Sequence, residues 1–366
     1  MFKRSVSIMV LLLLIFALVS CGAPAEEKAE ETSQEAVAEE EEAVEEEEEA
    51  VEVDGEVFQI KFANNGVSDM AHPQNEAMTF FKDTVEELSE GRIKVSLHIA
   101  GSLGDARTIM EGVQLGTIEM GDVENGVMSG FVPEAGIFDL PYIFDDLEHA
   151  HAVQAGEVGD YLREEYLDIG VRNLAFNDGG FRYFTTSKRA LTDAESFDGM
   201  KIRVMESDIM IKTINAFGGS AVPMAFGELY TALQQGTVEG QENPLDLIYA
   251  QSYAEVQDYL SLSEHFYYPR QYIINEDFYQ SLPAGLQEII ADTALEACQK
   301  QREFLVEYTK SMMGELKEQG FEVVEFDKEY FQKLSTDLWP EFYASVGNGD
   351  EELGKWLVDS VRAEVQ

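Results

Sequence analysis

Between Val57 and Val123 the hydrophobic period of the chain switches back and forth between 2 and 3.6, and that alternation limits the folds open to it. Residues 57–62 and 93–99 read as strands, the second with Ile93, Val95, Leu97 and Ile99 on one face. Between them, residues 77–88 carry apolar side chains at helical spacing and stop at Glu90-Gly91. Residues 105–115 read as a second helix closed by Gly116, and residues 118–123 as a third strand. A β-α-β-α-β order implies a parallel sheet with right-handed crossovers and a ligand at the carboxyl ends of the strands. Strands resume at residues 171–176, 181–186 and 201–205. Residues 284–319 then form a proline-free run near the helical period, entered at Pro283 and ended at Gly320, with Gly314 as its weak point. A helix of that length is expected to cross both halves of the molecule. Residues 321–326 read as a strand, and residues 329–339 and 351–365 as amphipathic helices. About 310 residues exceed what one core usually serves, so two domains are expected.

The segment before this body has a different composition. Lys3 and Arg4 precede an apolar run from Ile8 to Val19 that ends in Leu18-Val19-Ser20-Cys21. The run is too short to span a bilayer as a helix, but it fits the apolar core of a secretory signal peptide. Small residues ahead of a cysteine resemble a bacterial lipobox, which makes residues 1–21 a lipoprotein signal peptide and Cys21 the lipidated residue. Residues 22–56 contain seventeen Asp or Glu and one Lys, with little apolar beyond Ala and Val. Self-repulsion and the lack of buriable surface predict a disordered acidic tether. As a flexible coil it would reach roughly 30 Å, and further when like charges stretch it. The other cysteine, Cys298, falls in a helical segment and has no partner once Cys21 is modified.

Of the net charge of −46, the first 21 residues contribute +2 and residues 22–56 contribute −16, leaving −32 on residues 57–366. A body this acidic argues against nucleic acid as a partner. It leaves room for a small anion, since charges beyond about 8 Å are screened and local groups decide.

The stretch with the clearest chemical content is Lys201-Ile202-Arg203-Val204-Met205-Glu206. Asp198-Gly199 turns the chain into this short strand, and Ser207-Asp208 offers an N-cap for a following helix. Arg203 leaves the strand opposite Ile202 and Val204, and a buried guanidinium requires an anion. Its planar fork suits a carboxylate. A structural ion pair with a nearby acidic residue is the competing reading.

Four segments together resemble the substrate-binding proteins of tripartite ATP-independent periplasmic (TRAP) transporters. They are residues 101–105 (GSLGD) followed by 112–120 (GVQLGTIEM), 180–189 (GFRYFTTSKR), 199–207 (GMKIRVMES) and 223–244 (PMAFGELYTALQQGTVEGQENP). The resemblance covers residues 57–366. It implies an α/β fold of the type II periplasmic-binding class, with two α/β lobes joined by hinge strands and backed by the long helix. Lobe I would comprise residues 57–179 with 268–308, and lobe II residues 180–267 with 309–366. By the same resemblance Arg203 clamps a ligand carboxylate, Arg182 is a second basic group beside it, and Asn243 is an amide donor to the same group. Asn65 and Glu124 would contact the far end of the ligand, and Phe226 would wall it. A carboxylate such as Glu124 accepts from sugar hydroxyls and repels a second ligand carboxylate. Glu206 and Val127 stand where the sialic-acid-binding members carry asparagine and arginine, which disfavours sialic acid. Glu206, His72 and Asp105 complete the candidate site, although His72 could equally cap the turn at His72-Pro73.

The resemblance makes the chain a receptor rather than an enzyme, without cofactor or metal, lipid-anchored at the periplasmic or outer face of a bacterial membrane. It would hand a small carboxylate to TRAP membrane subunits, as a monomer. A hexuronate or related sugar acid is the expected ligand, with a C4-dicarboxylate as the alternative. A secreted lipoprotein enzyme acting on sugar acids is a further alternative, but no Gly-x-Ser-x-Gly elbow and no His-Glu-x-x-His motif is present. His149-x-His151 lacks the partners of a zinc site. Glu239 and Glu242 read as solvated or hinge-bonded, and Met205, Met210 and Met224 as core.

Overall fold

The structure, a computed structural model, describes residues 55–364. The signal peptide, Cys21 and all but the last residues of the acidic tether lie outside the described residues. The body has two mixed sheets. In chain order the strands are β1 (Phe58–Asn64), β2 (Ile93–His98), β3 (Met120–Glu124), β4 (Val171–Phe181), β5 (Tyr183–Thr186), β6 (Lys201–Val204), β7 (Ser220–Pro223), β8 (Gly240–Asn243), β9 (Tyr259–Ser261), β10 (Tyr267–Asn275) and β11 (Glu322–Val324). The first sheet runs β2-β1-β3-β10-β4 and the second β11-β9-β5-β8-β6-β7.

The expected parallel core of the first lobe is present. β1 pairs in parallel with β2 (Phe58 opposite Ile93) and with β3 (Phe62 opposite Met120). The helix Pro73–Leu88 covers one face through Met78, Phe81 and Val85. Its start lies earlier than the apolar spacing predicted, because His72 caps it and Pro73 occupies the first turn, where a missing N–H costs nothing. The helix Ala106–Gln114 covers the other face, capped by Asp105.

Sequence reading missed four strands, the short β7, β8 and β9 and the long β10. β10 lies antiparallel to both β3 and β4, with Arg270 opposite Glu124 and Asn177. All nine of its residues are buried, so no alternation of apolar and polar side chains marks it. Pro269 is tolerated at a break in the register, where the ladder needs no donor. β4 also runs past the predicted end at Phe176, through Gly179 and Gly180, to Phe181. The chain crosses there into β5, and it returns from β9 to β10. The two crossings are stitched together where the Arg182 N–H donates to the Phe266 carbonyl at 2.9 Å.

The long helix is shorter than expected. It spans Ala284–Thr309, and a second helix, Met312–Glu318, follows after a break at Lys310-Ser311 rather than at Gly314. Leu286, Ile290, Ala294 and Cys298 pack on the first sheet, whereas Met312 and Leu316 belong to the second lobe's cluster with Leu229, Tyr253 and Leu260. Two different cores claim the two ends of the run. Thr309 donates its hydroxyl to the Leu305 carbonyl (2.7 Å), a back-bond that bends helices. The terminal helix Glu351–Ala363, expected in the second lobe with the rest of residues 309–366, buries Leu357, Val358 and Val361 beside Phe138, Tyr166 and Ile273 of the first. Its amphipathic face specified burial but not which core would supply it.

Candidate functional site

The carboxyl ends of β1 and β3 in one sheet and of β6 and β7 in the other face a common cleft, the place where open α/β sheets bind ligands. Asn65 follows β1 and Glu124 ends β3. Arg203 lies within β6, with Glu206 just beyond it, and Met224 and Phe226 follow β7. Gly199, in the left-handed region at φ +70°, makes the turn that brings the chain into β6, and Ser207 caps the helix Asp208–Ala216 beyond it.

One tight cavity of about 10 Å³, room for no more than a single water, gathers Asn65, Asp105, Glu124, Arg203, Glu206 and Phe226, with Val127 and Met224 also on its wall. A neighbouring cavity of about 20 Å³ shares Asn65 and Phe226 with the first and adds His72, Asp178, Asp246, Tyr268 and Arg270. Arg182 and Asn243 line neither. Met224, read from sequence as core, is half-buried at the cavity wall, while Met205 and Met210 are buried.

Three arginines are buried among the described residues, and their partners differ. Arg182 forms an ion pair with Glu242, donates from Nη2 to the Glu242 carbonyl (2.6 Å), and lies over the Tyr268 ring at 4.5 Å. Burial opposes its charge, but the Glu242 carboxylate beside it more than offsets this and holds the guanidinium pKa above its usual value. Glu242 is therefore a fully buried counter-charge rather than a solvated residue. Arg270 donates from Nε to Asp122 (3.1 Å) and from Nη1 to Glu124 (3.2 Å) and the Tyr268 hydroxyl (2.9 Å). Arg203 makes no ion pair among the described residues. Its Nε and Nη2 both donate to the Met224 carbonyl, at 3.0 and 2.7 Å, and Nη1 is buried with no partner. Desolvation pulls its pKa down, against the more distant pull of Glu242. A guanidinium held away from water with one face unbonded is an anion receptor in waiting.

The far wall is already organised. Glu124 accepts from Asn65 Nδ2 at 3.0 Å through one oxygen and from Arg270 through the other, which leaves Asn65 Oδ1 buried without a partner. Asn243 donates to Gln241, whose own amide donates to Thr185 (2.8 Å). Asp105 is exposed and accepts from the Thr108 N–H (2.8 Å) as the helix cap, while its side chain reaches the cavity rim. Glu206 is exposed at the mouth. His149 and His151 do not converge: the first bonds the Val361 carbonyl and the second Asp178, each at 2.7 Å. Among the described residues no group of three or more His, Cys, Asp or Glu is placed to hold a metal ion.

Sequence reading missed Arg270, Tyr268 and Asp246. The available signal was an arginine among aromatic and aliphatic residues in Tyr267–Asn275, a charge that such a run buries only with a partner.

Residues 65–345 match the bacterial extracellular solute-binding protein, family 7. The chain is 34% identical over 291 residues to a solute-binding protein of Verminephrobacter eiseniae, covering 79% of this chain and 85% of the relative. It is 32% identical over 282 residues to the 2,3-diketo-L-gulonate-binding periplasmic protein of Escherichia coli, covering 76% and 86%. Among solved structures, a TRAP periplasmic solute-binding protein of Polaromonas bound to D-erythronate superposes with a TM-score of 0.78 at 33% identity, over 84% of this chain and 98% of the other. A TRAP periplasmic solute-binding protein of Sulfurospirillum deleyianum with bound succinate does so with a TM-score of 0.78 at 28% identity, over 85% and 100%.

Proposed function

The chain belongs to the family 7 bacterial extracellular solute-binding proteins, the receptors of TRAP transporters, and from that premise we propose that it captures a small hydroxylated monocarboxylate and delivers it to TRAP membrane subunits without turning it over. The observation that carries the reading is Arg203, a buried guanidinium whose only bonds among the described residues go to one backbone carbonyl, with Nη1 left without a partner among them. A ligand carboxylate supplies the missing charge and the second acceptor. Glu124 and Asn65, across the same cavity, supply acceptors that suit hydroxyls and repel a second carboxylate. Sugar acids are therefore favoured over C4-dicarboxylates. The Polaromonas and Sulfurospirillum proteins, with D-erythronate and succinate, bracket these two classes. Arg182 acts from behind the site, with Glu242 holding it, and Asn243 contributes through the same strand.

A thermal-shift screen of aldonates, uronates and C4-dicarboxylates tests the assignment. A strong shift with a sugar acid is expected, and a shift with succinate or malate alone would overturn the preference. Lipid anchoring through Cys21 is part of the proposal, motivated by Leu18-Val19-Ser20-Cys21. The full chain expressed in a bacterium should partition with detergent, and a Cys21→Ser chain should not. Continued partitioning of the variant, with its signal peptide removed, would refute the anchor.

A further inference from the structure

We propose that the cavity beside the Arg203 chamber is a subsite for the hydroxylated tail of the bound acid, read by His72 from one lobe and Asp246 from the other; this rests on the function proposed above. Asn65 and Phe226 wall both cavities, so the second adjoins the Arg203 chamber. His72 is 2% exposed and Asp246 4%. Nothing in the fold requires them to meet: His72 precedes the helix Pro73–Leu88, and Asp246 opens the helix Leu245–Ala250.

The hydrogen bonding identifies what the cavity offers. His72 Nδ1 accepts the Gln74 N–H at 3.4 Å, so the neutral ring carries its proton on Nε2. That Nε2 lies 3.3 Å from Asp246 Oδ2 without the alignment of a hydrogen bond. His72 Nε2, Asp246 Oδ1 and Asn65 Oδ1 are all buried and unpartnered. The cavity thus presents one donor and two acceptors. A hydroxyl both gives and takes, so a vicinal diol satisfies all three. A carboxylate only accepts, and it would meet Asp246 with like charge. Arg270 does not rescue it, because its nitrogens are already bonded to Asp122, Glu124 and Tyr268. The subsite therefore selects for chain length and for a hydroxyl rather than an acidic terminus.

Calorimetric titration of the wild-type protein, Asp246→Ala, Asp246→Asn and His72→Asn with galactonate and with glycerate tests this. Asparagine keeps a side chain able to cap the helix at position 72. Loss of a hydrogen bond to a buried charged group corresponds to about a 10- to 100-fold loss of affinity. That loss is expected for galactonate with Asp246→Ala, whereas glycerate, too short to reach the subsite, should bind as to the wild type. The wild type should also prefer galactonate to the six-carbon diacid galactarate, and Asp246→Asn should narrow the preference. Equal losses for galactonate and glycerate would mean that the pair only holds the lobes together, and would overturn the subsite. Unchanged galactonate binding in the variants would overturn it as well. A wild-type protein that binds no monocarboxylate would overturn the proposed function, and this inference with it.

Discussion

Replacing Arg203 by methionine, which keeps much of the volume and removes the charge, separates a ligand-binding arginine from a scaffolding one. A carboxylate in a closed cleft has lost its water, and an unpaired buried charge of this kind typically costs about 2–5 kcal/mol. Affinity for the cognate acid should fall roughly 30- to several-thousand-fold. The ligand-free protein should hardly notice. Arg203 gives up two bonds to the Met224 carbonyl, whose loss costs about 1–3 kcal/mol. Against that loss, the variant no longer holds an uncompensated guanidinium out of water, where burial already depresses its pKa. The two effects leave a balance of about 1–2 kcal/mol in either direction. In a chain of this size that is a change in Tm of no more than about 4 °C. Arg182→Met is the contrast. It strands the fully buried Glu242, and breaking such a pair costs about 3–5 kcal/mol, enough to lower the ligand-free Tm by roughly 6 °C or more. Calorimetric titration for affinity and a melting curve without ligand measure both quantities on each variant. Wild-type affinity in Arg203→Met, or a ligand-free Tm that falls as far as that of Arg182→Met, would refute the reasoning.

The Asp139 carboxyl, buried near Asn125 and Ser207, is pushed up to about 7, chiefly by desolvation. A group whose folded pKa is raised contributes stability that is fully present below its unfolded value near 4 and is lost as pH rises through about 7. Asp139→Asn should remove that share of the pH dependence, so the difference in unfolding free energy between the variant and the wild type should grow from pH 4 to pH 7 by several kcal/mol; parallel curves would refute it. Gly179→Ala should lower Tm and ligand affinity together. A Cβ there would come within 2.2 Å of the Tyr268 ring and 3.0 Å of the Tyr268 carbonyl, and overpacking of this kind costs about 1–3 kcal/mol. An unchanged melting curve would show that Tyr268 is free to move.

Much of the architecture was legible because it is local. Strand and helix periods follow from neighbouring residues, so the parallel β1, β2 and β3 and the helices over them could be drawn from spacing alone. The candidate site residues came instead from the family resemblance. Asn65, Glu124 and Arg203 sit at or near the carboxyl ends of strands, and two α/β units that close on one ligand must bring those ends together. The tertiary structure decided how the buried charges pair. Arg182 and Glu242 are 60 positions apart, and Arg270 and Asp122 are 148 apart; no periodicity links them. The sequence put Arg182 beside Arg203 as a ligand group and gave Arg270 no role, and only packing showed that Arg182 and Arg270 are neutralised within the protein while Arg203 is left to a backbone carbonyl. The break at Lys310-Ser311 and the docking of Glu351–Ala363 on the first lobe were decided in the same way. An amphipathic segment states that one face must be buried, but which core buries it depends on surfaces contributed by residues far along the chain.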